Sequence, residues 1–204
     1  MAKDIKEMEE HVLVFPTDLL NRLGDFQGLS FDVQKYLDVI LDPKNHKYMK
    51  RKEAETDFRY KQLIPYVILH HEDKIFTYRR GKLLAEKRLM GNCSIGIGGH
   101  ISVNDPTLFG TTYKEGLQRE VNEEIIIETT YKEKVGGLIN DNSNEVGRVH
   151  FGIIHVFSLE KPLIKPREKS INETGFSSKE DLKKNIDEYE NWSKICIEGL
   201  DRLL

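Results

Sequence analysis

Arg119-Glu120-Val121-Asn122-Glu123-Glu124-Ile125 is the stretch that decides what this chain is. On a helix, Glu120, Glu123 and Glu124 stand at i, i+3 and i+4, so all three leave on one side. Leu117, Val121 and Ile125 form the adjacent apolar stripe, and the carboxylates therefore border a buried face where a cleft can open. Gly116, one turn before Glu120, leaves room for a ligand on that side. Three carboxylates at close range repel one another, and a divalent cation between them makes their ionised forms favourable together. Hard oxygen donors suit Mg²⁺ or Mn²⁺. Arg119 has Glu115 four residues before it and Glu123 four after it, and is placed to brace the cluster. Charge runs are more often solvated helix faces, so context decides. Gly98-Gly99 close an extended segment upstream, and Thr112-Tyr113-Lys114-Glu115 has the capping-box form that starts a helix.

Working outward, Thr112–Ile127 reads as one helix. Before it, Leu63–Leu69 and Lys74–Tyr78 flank His70-His71-Glu72-Asp73 and predict a hairpin. Ser94–Ser102 is extended and rich in glycine. After the helix, Val135–Ile139 and Val149–Leu159 predict strands around the polar loop Asn140–Gly147. Ser177 and Glu180 have capping-box spacing for a last helix, along which Leu182, Ile186, Tyr189 and Cys196 recur. The first sixty residues differ in texture. Val12–Phe15 predicts a short strand, Asp18–Leu23 a helix stopped by Gly24, and Ser30 can cap a second helix bearing Val33, Leu37, Ile40 and Leu41. Strands with interspersed helices predict an α/β fold in which helices sandwich a mixed sheet.

With those residues in view, the chain resembles the Nudix (MutT-like) hydrolases, whose signature is G-x5-E-x7-R-E-U-x-E-E-x-G-U with U aliphatic. Gly99 matches the opening glycine, and Arg119, Glu120, Val121, Glu123, Glu124 and Ile127 match the second half. The spacing from Gly99 to Arg119 is six residues longer than in the signature, and the extra length falls in the 101–110 loop. Thr111 stands where the family has its first glutamate, Ile126 replaces the late glycine, and Ile97 stands where a proline usually precedes the glycine pair. Glu173-Thr174-Gly175-Phe176 is similar to an E-x-x-W element, with Phe for Trp. Phe26-Gln27-Gly28, the 61–66 and 78–81 segments and Gly96–His100 together resemble a subgroup of predicted Nudix phosphoesterases with an N-terminal extension.

The resemblance implies an α/β/α sandwich with a mixed β-sheet over residues 61–204, behind a mainly helical N-terminal extension at 1–60. It implies a hydrolase that cleaves a phosphoanhydride bond in a nucleoside diphosphate-linked or related substrate. Glu120, Glu123 and Glu124 become the metal ligands, for Mg²⁺ or Mn²⁺, with Arg119 beside them. Glu120 is a candidate base for the attacking water, and Glu173 and Glu145 are alternatives. The Thr111 substitution and the longer loop keep a second outcome open, a Nudix-fold sensor that binds a diphosphate without turning it over.

A diphosphate also needs cationic or dipolar contacts. Arg79 and Arg80 end the hairpin strand, and neighbours on a strand face opposite ways, so one of them is expected to reach a cleft. Arg88 is a third candidate, and Gly98, Gly99 and His100 line the glycine turn. Tyr66, Tyr78 or Phe109 can stack on a base, although core packing is the more frequent fate of such residues. His150 and His155 differ by an odd number on one strand and cannot form a metal pair with each other.

Composition sets the outer limits. The chain has 204 residues with 31 Lys and Arg against 34 Asp and Glu, a net charge of −3. That balance argues against stable nucleic-acid binding and against an anionic membrane surface, which both need a basic surplus. The five glutamates within 111–128 face only Lys114 and Arg119, so the acidic surplus concentrates on the motif helix. Two cysteines, Cys93 and Cys196, lie far apart, which fits a reducing cytoplasm. The charged start Met1–Glu7 is unlike a signal peptide, and no apolar run reaches membrane-spanning length. A small-molecule partner is expected, and the first sixty residues can serve a homodimer.

Overall fold

The computed structural model describes residues 10–81, 91–103 and 112–204. In chain order the strands are β1 (His11–Pro16), β2 (Gly28–Ser30), β3 (Lys47–Lys50), β4 (Tyr60–His71), β5 (Lys74–Arg80), β6 (Cys93–Ser94), β7 (Gly96–Ile97), β8 (Ile125–Ile127), β9 (Tyr131–Asn140), β10 (His150–Leu159), β11 (Ile164–Pro166) and β12 (Ile171–Ser178). The helices are α1 (Asp18–Leu23), α2 (Val33–Ile40), α3 (Arg51–Ala54), α4 (Thr112–Glu124), α5 (Glu145–Arg148), α6 (Lys179–Lys184), α7 (Asn191–Glu198) and α8 (Leu200–Leu203).

Among the described residues a ten-stranded mixed sheet runs in the order β12-β5-β4-β10-β9-β2, with β1 and β7 on β4, β3 on β1 and β6 on β5. This is the α/β class expected. β4 is buried from Lys61 to Leu69, the mark of a central strand covered on both faces. It carries Pro65, which lacks the N–H a ladder needs. Tyr60–Gln62 pair with β1, and Val67 and Ile68 pair with β7. Pro65 falls in the gap between these two partners, so no ladder bond is lost there. β4 and β10 run in the same direction. His70 Nε2 meets Ser158 Oγ at 2.8 Å, 88 residues on, and the same offset brings Gln62 level with His150.

Two compact units share these strands. One comprises Met1–Pro65, Gly99–Arg119 and Gly137–Ile153; the other Tyr66–Gly98, Glu120–Gly136 and Ile154–Leu204. In the first, Leu13, Phe15, Leu20, Tyr36, Ile40, Leu63, Ile101, Leu138 and Phe151 form one core. Phe15 and Phe151 meet edge to face at 5.3 Å. Each such side chain contributes roughly 1.5–3 kcal/mol by leaving water. Residues before and after position 60 thus pack into the same core. The first sixty residues carry β1, β2 and β3 as well as α1, α2 and α3, so the stretch expected to be mainly helical also supplies sheet edges. In the second unit, Ile75, Phe76, Tyr78, Ile97, Leu182, Cys196 and Leu200 are buried.

Several local expectations shift. The motif helix ends at Glu124, and Ile125-Ile126-Ile127 form β8 against β11. Three β-branched residues lose rotamer freedom in a helix and fit a pleat. Ser30 ends β2, where its Oγ accepts from Asp32 N. The later cap is Ser178, one residue beyond Ser177; its Oγ accepts from Asp181 N at 3.1 Å. The helix it opens stops at Lys184, and α7 and α8 follow separately.

Candidate active site

In α4 the apolar stripe is as expected: Leu117, Val121 and Ile125 are buried. Beside it, Glu120 and Glu124 are half-buried and Glu123 is exposed. The helix end is held by its last carbonyl, since Glu124 O accepts from Arg167 N at 2.8 Å and from Glu168 N at 3.2 Å. Burial pushes the Glu124 carboxyl up to about 8; Arg80 opposes this, while Glu120, Glu168 and Glu190 push further upward. Four carboxylates thus act on one another here, two from the motif helix and two from later segments. Sequence spacing did not single out Glu168 or Glu190, because neither lies near the motif along the chain.

The donor chemistry suits a hard divalent cation, whose charge would offset the mutual repulsion around Glu124. Glu120, Glu123 and Glu124 are oxygen-only donors, with Glu168 next to them at the helix end. Among the described residues no group of three or more His, Cys, Asp or Glu side chains is already gathered for an ion. A cation held there would have to bring these side chains together.

The two hairpin arginines face opposite ways, as alternation requires. Arg79 spreads its fork over Glu173 Oε2 at 2.8 Å, Glu188 Oε2 at 3.0 Å and Gly91 O at 2.7 Å. These carboxylates hold its guanidinium above the usual range. Arg80 is bidentate with Glu190, Nε to Oε2 at 2.5 Å and Nη2 to Oε1 at 3.0 Å. Glu190 is 5% exposed and also accepts from Ser94 Oγ at 2.7 Å. Both candidate forks, one of which was expected to reach a cleft, are committed to carboxylates, and Glu173 is committed to Arg79. Tyr66 and Tyr78 are core residues: the Tyr66 hydroxyl meets Ser193 Oγ at 2.8 Å, and the Tyr78 hydroxyl donates to Gly96 O at 2.8 Å. Glu145 opens α5 and is exposed. Thr111, Arg88 and Phe109 lie outside the described residues.

After β7, Gly98 and Gly99 lead to His100. Arg119 Nη2 donates to His100 O at 2.8 Å. The motif arginine thus anchors the backbone of the glycine turn. The His100 ring points its Nε2 at His150 Nε2, 3.2 Å away. Burial, then Arg51, His150 and Arg119, push the His100 imidazole well below its usual range. A phosphate-binding imidazolium is therefore disfavoured at this position. Nearby, Lys61 is 1% exposed and donates to Asn142 Oδ1 at 3.0 Å, Gly147 O at 2.8 Å and His150 O at 3.2 Å. It ties down the polar Asn140–Gly147 loop from below.

No protein-family model matches the chain. It is 31% identical over 204 residues to Protein YmaB of Bacillus subtilis (strain 168), covering 96% of this chain and 99% of that one. The crystal structure of Tm1382, a candidate Nudix hydrolase, matches with a TM-score of 0.79 and 31% identity, over 96% of this chain and 100% of that one. A bifunctional NMN adenylyltransferase/ADP ribose pyrophosphatase from Francisella tularensis, solved with AMP and a manganese ion, matches with a TM-score of 0.50 and 16% identity, over 69% of this chain and 41% of that one. At that last identity the likeness is one of fold.

Proposed function

The chain belongs to the Nudix superfamily, and we propose on that footing that it is a divalent-metal-dependent hydrolase of a phosphoanhydride bond. The substrate class is a nucleoside diphosphate-linked or related diphosphate, with water as nucleophile. The observation that carries this is the carboxylate group around Glu124, where burial, and after it Glu120, Glu168 and Glu190, raise its proton affinity to about 8 against the pull of Arg80. Such repulsion is costly to maintain without a ligand that uses it.

Glu120, Glu123 and Glu124 would hold Mg²⁺ or Mn²⁺. When bound, such an ion neutralises anhydride oxygens and makes a coordinated water a better nucleophile. The protein's own part is positioning. α4 carries the carboxylates on a rigid turn, and Arg119 pins His100 and the Gly98-Gly99 turn through the His100 carbonyl. Glu120 is the carboxylate assigned to accept the proton of the attacking water.

A test is Mg²⁺-dependent release of phosphate or mononucleotide from a diphosphate panel that includes ADP-ribose, a choice guided by the Francisella relative. Turnover is expected in the native protein, with a loss of about 100-fold or more in Glu123→Gln or Glu120→Gln. Equal inactivity of native protein and variants across the panel removes the hydrolase reading. Tight ligand binding without turnover then points to the sensor instead.

A further inference from the structure

Arg119 grips the glycine turn by the His100 carbonyl, so whatever holds that carbonyl aims the motif arginine. Upstream of it the chain reads Gly98-Gly99, which offers no side chain to hold. Downstream, the backbone is laced to β1: Leu13 N donates to Ile101 O at 2.9 Å, and Val103 N to His11 O at 3.0 Å. His100 is the first residue after the glycines to carry a side chain, and its ring is the handle on this stretch.

That ring ends a chain of hydrogen bonds whose direction is forced. Lys61 Nζ donates to Gly147 O at 2.8 Å and to His150 O at 3.2 Å, which ties α5 to the start of β10. Gly147 N in turn donates to Asn144 Oδ1 at 2.9 Å, the cap of α5. Inside this braced turn, Val146 O lies 2.6 Å from His150 Nδ1. A carbonyl only accepts, so Nδ1 carries the proton and Nε2 keeps the lone pair. His100 Nε2 faces that lone pair at 3.2 Å, with ring centroids 5.4 Å apart, and must donate. Both rings are neutral in this arrangement. Burial favours that state in both, and so does Arg51; on His150 the Val146 bond and Glu55 work the other way. The chain then leaves His100 by its carbonyl, which accepts from Arg119 Nη2 at 2.8 Å.

We propose that His150 is a positioning residue for the motif arginine: it fixes the His100 ring, and with it the carbonyl that aims the Arg119 guanidinium. All of these residues belong to the first unit. His150 needs no contact with a substrate to act in this way. A purely structural His150 would support the turn before β10 and leave Arg119 unaffected. The catalytic consequence rests on the hydrolase reading: there Arg119 anchors the glycine turn, and a misaimed anchor costs rate more than affinity.

The experiment uses the full chain, metal-free at pH 7, with ¹⁵N-labelled histidine and arginine followed by NMR. His150 is expected protonated on Nδ1 and His100 on Nε2, with distinct Nη resonances for Arg119, whose rotation the His100 carbonyl restrains. His150→Phe keeps a ring and removes the acceptor. It should put His100 into a mixture of tautomers and merge the Arg119 Nη resonances. His150→Gln, whose Oε1 can accept in place of Nε2, should restore them, and His100→Phe, which breaks the link from the other side, should merge them again. With Mg²⁺ and ADP-ribose, kcat should fall about tenfold in His150→Phe with KM within about twofold, and His150→Gln should recover most of the loss. The proposal is overturned if the native tautomers are reversed, or if Arg119 keeps distinct resonances in whichever of the two Phe variants is folded by circular dichroism. It is also overturned if His150→Gln fails to restore them, or if an active enzyme keeps its kcat in His150→Phe. Native protein that turns over nothing removes the hydrolase reading alone, because the Arg119 resonances are read without substrate or metal.

Discussion

Removing Arg80 alone should cost more than removing Arg80 together with Glu190. The pair is nearly dry: side-chain exposure is 15% for Arg80 and 5% for Glu190. In Arg80→Leu the Glu190 carboxylate keeps Ser94 Oγ as its hydrogen-bond donor among the described residues and is left as an uncompensated charge beside Glu124. Breaking a buried pair from one side costs about 3–5 kcal/mol. Glu190→Leu leaves the Arg80 guanidinium in the same position, with a similar loss. In the double variant both desolvation penalties vanish, and apolar side chains fill part of the space. Its loss should be no greater than that of either single variant, a coupling of about 3 kcal/mol or more. Urea unfolding at pH 7 and low salt measures this, and with a slope of about 2 kcal/mol/M each single variant should lower the midpoint by about 1.5–2.5 M. Additive losses, with the double variant unfolding at the sum of the two shifts, would show that the pair is screened and that its short contacts carry no buried charge.

Lys61 gives a pH signature. Burial, opposed by Asp25 and Asp141, lowers its ammonium to about 8 from 10.5. Between those values the unfolded chain holds the proton more strongly, so stability rises with pH from about 8 to about 10.5, by roughly 3 kcal/mol over the full span. Urea midpoints of native protein and Lys61→Met at pH 7.5 and pH 10 should differ in slope, the variant lacking this rise; parallel slopes would place the titration elsewhere. Gly96 gives a packing signature, because an added Cβ would lie 2.0 Å from Tyr66 Cζ, in a ring held by Ser193 and Trp192. Gly96→Ala should lose about 3 kcal/mol while Gly175→Ala, with nothing within 4 Å, stays within about 0.5 kcal/mol in the same thermal unfolding assay.

What the chain showed in advance was what repeats locally. The 3.6-residue spacing of Leu117, Val121 and Ile125 marked the buried face of α4, and the 18–23 helix ends where Gly24 reaches φ 93°. Alternation also told that Arg79 and Arg80 part ways. Partners across the sheet were not legible. The Nε2 contact between His100 and His150 joins residues fifty positions apart, and no local spacing announces it. Glu168 and Glu190 reach Glu124 from later in the chain, by way of the β8–β11 pair and the turn before α7. The replacement of the signature glycine by Ile126 has a local reason visible only in the fold: the helix passes directly into a strand, where a glycine would weaken the pairing with Lys165.

The commitments of Arg79 and Arg80 bear on how a diphosphate can be neutralised. Turning Arg80 toward a phosphate would strand Glu190 among Ser94, Tyr78 and Glu124, at the cost of a broken buried pair. Turning Arg79 would be cheaper, since its partners Glu173 and Glu188 are 70% and 55% exposed. Yet Arg79 also holds Gly91 O at 2.7 Å. Arg119 spends a donor on the His100 carbonyl. Among these arginines, then, only Arg79 can exchange partners at modest cost, and a single exposed guanidinium is a weak match for a diphosphate. On the proposed reading the larger share of neutralisation would fall to a cation held by Glu120, Glu123 and Glu124. The proposed metal dependence is thus supported by where the arginines are spent as well as by where the glutamates stand.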